Sequence, residues 1–221
     1  RYDFLRHVLL AGLEERARIG TNPFRLGVIA ATDGHNAIPG FVDETGWLGH
    51  VGLSDDTAEE RLGDGNMTHR GIVNNPGGLA GVWAEERSRD AIWEGFQRRE
   101  TFATSGPRIA VRLFGGRDLP ADLCERSDRA AVGYAHGVPM GGALPARSAG
   151  SSDGPRLAVW AERDPGPEGG EAGTLLQRIQ IVKGWLDASA GGEPRWQVFE
   201  VAGDPDSGAS VDTGSCEGSG P

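Results

Sequence analysis

Two cysteines in a chain of 221 residues leave little room for sulfur chemistry. Cys124 and Cys216 stand far apart, and neither belongs to a Cys-x-x-Cys pair, so no zinc ribbon and no dense disulfide framework is written here. One bridge between them stays open, and with it the redox compartment. Equally missing are a Gly-x-Ser-x-Gly elbow, a P-loop and a dinucleotide fingerprint. Their absence removes the sequence marks of the α/β-hydrolase, nucleoside-triphosphatase and nicotinamide-linked classes. No apolar run approaches the roughly 20 residues a helix needs to cross a bilayer, so no transmembrane segment is expected. Positive charge is also short: 22 Lys and Arg against 32 Asp and Glu leave a net −10, with no basic cluster to offset it. A phosphate backbone would be repelled by such a surface, which argues against nucleic acid as a partner.

What is abundant is glycine and proline, 36 and 13 residues, with prolines concentrated beyond position 115. Before that point the pattern is α/β. Leu5, Val8, Leu9, Gly12, Leu13 and Arg16 recur at helical spacing, predicting an amphipathic helix over 3–19 that Gly20 stops and Pro23 forbids to continue. The apolar run 24–31 follows directly and reads as a buried strand, halted at Thr32-Asp33-Gly34-His35. After His35 comes a long loop carrying Trp47, His50, His69 and Arg70; loops of that length are usually functional or disordered. A strand is expected over 78–84, a helix over 89–99 capped by Ser88, and a strand over 108–114 after the Ser105-Gly106-Pro107 turn. Beyond 115, alternating segments 156–162, 178–186 and 195–201 are separated by Gly/Pro/Ser-rich connections, with 188–194 as a hairpin link. They predict an antiparallel β module, a sandwich or half of one. The expected division is 1–114, 115–202 and a disordered or truncated tail over 203–221. The chain opens at Arg1 with neither Met nor signal peptide, and its last residues are low in complexity. The expectation is a piece of a longer protein whose compartment, periplasm or envelope or else cytoplasm, is open.

Asp33 and His35 are the leading candidates for chemistry. On an extended segment, residues two apart project to the same side, and the C-terminal end of a strand is where α/β folds hold ligands. A carboxylate beside an imidazole suits Zn, Mn or Fe. The plainer alternative is an Asp closing a turn and a surface His. His50 and His69 are candidates for acid–base or binding work because histidine titrates near neutral pH; the alternative for each is a solvated loop histidine. Arg108, in Thr104-Ser105-Gly106-Pro107-Arg108, could offer a guanidinium to an anion, or simply leave a β-turn. His7 reads as structural and His136 as surface.

Taken together, four blocks resemble the C-terminal half of the family called domain of unknown function 3604. They are Gly20 through Phe24 running on to Ala31-Thr32-Asp33-Gly34-His35; Gly78-Leu79-Ala80-Gly81-Val82-Trp83-Ala84-Glu85; Arg99-Glu100-Thr101-Phe102-Ala103-Thr104-Ser105-Gly106-Pro107-Arg108-Ile109; and Arg178-Ile179-Gln180-Ile181-Val182-Lys183-Gly184-Trp185. That family in turn looks related to the polymerase-and-histidinol-phosphatase (PHP-like) metallohydrolases. The resemblance implies the C-terminal portion of a distorted β/α barrel, followed by the antiparallel β-sandwich-like module. It implies more than one divalent ion (Zn, Mn or Fe) in the whole protein, with Asp33 and His35 as two of the ligands and an N-terminal His-x-His pair that this chain does not carry. A small-molecule substrate is then expected, with a phosphoester favoured and an amide or carbamate possible. Arg108 or His50 would hold the leaving group or phosphate oxygens. The competing expectation is a non-catalytic binding or structural module with a degenerate metal site. Oligomeric state is left open.

Overall fold

The computed structural model describes residues 4–40, 50–51, 57, 59–60, 78–148, 150, 153–168, 170, 173–212, 214–215 and 217–219. In chain order these hold α1 (Leu5–Ile19), β1 (Ala80–Val82), α2 (Arg89–Arg98), β2 (Thr101–Ala103), β3 (Ala110–Gly116), α3 (Arg129–His136), β4 (Val138–Pro139), β5 (Arg156–Glu162), β6 (Arg178–Asp187), β7 (Glu193–Gly203), β8 (Ser210–Val211) and β9 (Gly218–Ser219). Helices and antiparallel sheets are mixed, and the described residues form no closed barrel. The chain gathers into two units, residues 1–26 with 175–221, and residues 27–174. The composition boundary drawn at 114/115 falls inside β3.

In the first unit α1 lies on the β6–β7 hairpin. Gly20 closes the helix in the left-handed conformation, φ +82°, its N–H donating to the Arg16 carbonyl. Arg16 and Arg18 in the last turn complement the helix dipole. The buried residues are Leu10 and Gly12, whereas Leu5 and Leu9 of the expected stripe are about two-fifths exposed. The face is set by Gly184 on β6: a Cβ there would stand 2.9 Å from Leu10 Cδ2, so the missing side chain is what seats Leu10. The hairpin pairs from Arg178↔Gly203 to Asp187↔Glu193, with an irregularity between Ile179 and Gln180. Its turn is a single 3-10 turn, Ala188–Ala190, completed by Gly191 and Gly192 at positive φ. Within residues 203–221, β8 pairs with β9.

In the second unit β1 pairs with β2, Val82 opposite Thr101. Ser88 Oγ accepts from Ala91 N–H at 3.2 Å and starts α2, as its sequence position predicts. β3 is the centre of a second sheet, flanked by β4 and β5 and paired with β5 from Ala110↔Glu162 to Gly116↔Arg156. On it sits the core: Phe114, Leu119, Leu123 and Ala158 are buried, with Val132 and Trp160 packed against them. Phe114 stacks on Trp160 at 5.6 Å between centroids and meets the edge of Tyr134 at 5.0 Å. Full burial of one such side chain is worth about 1.5–3 kcal/mol.

Two expectations need correction. The run 24–31 is no sheet strand: no strand pairs with it among the described residues, and Leu26 and Ile29 are half exposed. Its backbone is satisfied differently, for the Val28 N–H donates to Thr101 Oγ1 at 3.1 Å. A strand needs a ladder of partners, and an apolar composition does not supply one. Nor is the region after 115 wholly β, since α3 and the 3-10 turn Leu123–Glu125 lie within it and pack around β3, β4 and β5.

Candidate functional site

Asp33 and His35 sit in a run of small turns. The Gly34 N–H donates to Thr32 Oγ1 at 3.2 Å, and the Ile38 N–H to Asn36 Oδ1 at 3.2 Å. Asp33 adopts φ +55° and Ala37 φ +60°, a left-handed region that Asp and Asn enter more readily than other non-glycine residues. This backbone is not extended through Asp33, so the two-residue alternation that would align its side chain with that of His35 does not apply. What joins the two to a third residue is the main chain: the His35 N–H donates to the His50 carbonyl at 2.6 Å. His50 itself is buried, 7% exposed, where a solvated loop residue was the plainer expectation. At the base of the loop the Ala31 carbonyl lies against Gly78. A Cβ at Gly78 would be 2.0 Å from that oxygen, and its φ of +103° is itself a glycine conformation.

Both candidate ligand side chains, Asp33 and His35, are exposed. An Asp oxygen and a His nitrogen on one loop match in kind what a divalent ion takes, but a zinc site needs about four donors. Among the described residues no group of three or more His, Cys, Asp or Glu could hold an ion. Asp33 and His35 supply two donors of the kind such a site uses, fewer than it needs. His69, Trp47 and Arg70 lie outside the described residues, as does Cys216; Cys124 is exposed.

Arg108 is placed by its backbone. Its N–H donates to Asp164 Oδ2 at 2.7 Å, and the Gly166 N–H to Asp164 Oδ1 at 2.9 Å. These two bonds hold the Asp164 carboxyl below the usual carboxylate range. The exposed Arg108 side chain borders a cavity of about 150 Å³ with Leu79, Phe102 and Thr104. No hydrogen bond or ion pair among the described residues joins its guanidinium to Asp33 or His35. His7 lies half-buried in α1, and His136 is the exposed last residue of α3.

A second cluster was not singled out from the sequence. Arg99 ends α2 at φ +61°, and the chain turns there to bury Glu100, 1% exposed. Glu100 Oε2 accepts from Arg98 Nε at 3.0 Å, while Oε1 is closed off from solvent. Arg99 Nε also donates to the Gly141 carbonyl at 3.1 Å, tying the loop after β4 to this corner. The Arg112 guanidinium lies 3.7 Å above the Trp83 ring, whose Nε1 donates to the Val111 carbonyl at 3.0 Å. Burial first, and then a hydrogen bond to the Glu100 carboxylate and its charge, push the Tyr134 phenol above its ordinary pKa. Trp83, Arg98, Glu100, Arg112 and Tyr134 border one cavity of about 580 Å³. Trp83 and Glu100 fall within two of the sequence blocks that carry the resemblance, which is the only mark they leave there.

No curated protein and no solved structure matches the chain. No helix among the described residues is long and apolar enough to cross a membrane. The family described as "Protein of unknown function (DUF3604)" matches residues 1–220, and the chain therefore belongs to the DUF3604 family.

Proposed function

We propose that the chain contributes Asp33 and His35 to the metal centre of a PHP-like hydrolase, as the C-terminal portion of its barrel with an antiparallel, sandwich-like module after it. The observation that carries the reading is local. Two exposed donors of the right kind stand on one turn, the first at positive φ and the second pinned through its N–H to the carbonyl of buried His50. Unfavourable backbone conformations held in place by their surroundings are common at ligand sites. Asp33 would bring negative charge to the ion and His35 a neutral imidazole nitrogen. His50 would hold the loop through its carbonyl, and the exposed guanidinium of Arg108 suits an anionic oxygen of the substrate. A bound Zn, Mn or Fe ion supplies a water acidic enough to ionise near neutral pH. A phosphoester is the favoured small-molecule substrate, with an amide or carbamate next. The competing reading, a non-catalytic binding module, draws on the Gly34 N–H bond to Thr32 Oγ1, which an Asp closing an ordinary turn would share.

Elemental analysis decides between them. The protein at its natural length, purified without chelator, is compared with an Asp33→Ala/His35→Ala double variant of matched circular dichroism. Stoichiometric metal lost in the variant is the expected result. Absence of metal from both proteins overturns the hydrolase reading.

A further inference from the structure

Arg112 and Trp83 also border a further cavity, of about 420 Å³, which Trp160 and Glu162 of β5 and Arg129 at the start of α3 share. Two arginines in it are held by rings. Arg112 lies 3.7 Å above Trp83, which packs against Phe102, and Arg129 lies 5.1 Å from Trp160, which stacks on Phe114. A guanidinium resting on an indole keeps its in-plane N–H groups for another partner. In Arg112 those groups are unused: among the described residues no carboxylate pairs with it and no acceptor takes its protons. They are also reachable, because no Arg112 nitrogen is shut away from solvent as Nε of Arg117 is. The chain holds 32 acidic side chains against 22 basic ones, so this arginine does not lack a carboxylate for want of supply. The carboxylates around it are turned elsewhere. Glu162 takes Arg129 at 3.3 Å, Glu100 takes Arg98 at 3.0 Å, and Asp128 holds Arg126 at 2.9 Å. Glu85, which borders the cavity at Glu100, makes no ion pair with Arg112 among the described residues. With these pairs set aside, the cavity keeps the single positive charge of Arg112.

We propose that this cavity binds a small aromatic carboxylate, its acid group on the Arg112 fork and its ring against the indole walls. Charge and shape select this class. A carboxylate carries one negative charge in one plane, and an arginine takes it with two parallel hydrogen bonds. A phosphate monoester, at about −1.5 to −2 near neutral pH, would bring its excess charge against Glu162. Acetate would answer Arg112 and leave most of the cavity unfilled, although its volume is within the usual range for small-molecule sites. A planar ring fills that space on terms both walls favour, since indoles and guanidinium groups alike attract the face of an aromatic ring. The proposal is independent of the metal centre, and the Asp33→Ala/His35→Ala variant should bind the same ligands unchanged.

Calorimetric titration of the whole chain with benzoate, phenylacetate and indole-3-acetate tests it. Three comparators each change one property: benzamide removes the charge, cyclohexanecarboxylate the planar ring, and phenyl phosphate adds charge. At least one aromatic acid binds, and each comparator binds at least about tenfold more weakly. Arg112→Gln weakens the acid by roughly ten- to a hundredfold. Glu162→Gln acts in the opposite direction. It removes the carboxylate that competes for Arg129, at an exposed side chain, and tightens acid binding by about two- to fivefold. That variant decides the matter should Arg112→Gln not fold. No binding of any aromatic acid at millimolar concentration overturns the proposal. So does a comparator binding as tightly as the acids, or acid binding indifferent to Arg112→Gln or not tightened by Glu162→Gln.

Discussion

The loop at Asp33 and the cavity at Glu100 lie in the same unit and are built in opposite ways. The loop is local. Its side-chain caps link residues two apart, with the main-chain bond from His35 to His50 beside them, and its candidate ligands are two residues apart with exposed side chains. The cavity is assembled from residues 83, 98, 100, 112 and 134, brought together by β1, β3, α2 and α3 over the Phe114 core. A site of the first kind can be changed without disturbing the fold, whereas the second shares its support with the fold itself.

Substitutions sharpen that contrast, beginning with the largest effect. Phe114→Ala should cost about 3–5 kcal/mol in a urea unfolding experiment, because a fully buried ring leaves a void on β3. It should also loosen Tyr134, which borders the cavity. An unchanged near-ultraviolet circular dichroism spectrum in a folded Phe114→Ala protein would break the link between core and cavity. Gly141→Ala comes next, at more than about 1 kcal/mol. The position has φ +83°, and a Cβ would fall 2.3 Å from the Arg99 carbonyl oxygen. The melting temperature should drop, and the corner that turns Glu100 inward should shift. The smallest effect is expected at the loop. Asp33→Gly relieves a left-handed non-glycine residue, so stability should stay within about 1 kcal/mol of the parent or rise. Metal content should nevertheless fall, and a large loss of stability would mean that the Asp33 side chain holds the loop together.

Sequence pattern reached as far as local rules operate. The strand 156–162 was read to the residue, and it pairs with β3 along its whole length. The helix after Ser88 was legible because its cap is one residue and its bond one turn away. The run 24–31 was misread because an unpaired apolar segment and a buried strand have the same composition; only the missing neighbour separates them. In α1 the periodicity was right and the buried face in part: Gly12 is buried as expected, whereas Leu5 and Leu9 are not, and Leu10 is seated by Gly184, far along the chain. The same limit governed the sites. Asp33 and His35 are contiguous and could be found, while the tie of His35 to His50 runs through a carbonyl that any residue would provide. Glu100 is buried by a left-handed turn at Arg99, a residue type that gives no sign of that conformation.

The packing of α1 on the β6–β7 hairpin also has a consequence in time. On the ribosome α1 emerges before the hairpin that covers Leu10, which follows only after residues 27–174 have been made. At ordinary elongation rates of roughly 5–20 residues per second that interval is on the order of ten seconds or more, during which Leu10 lacks the cover of the hairpin. The second unit, continuous in the chain, can fold as it is synthesised. The first must wait, which makes α1 the segment to watch for chaperone capture on nascent chains arrested before β6.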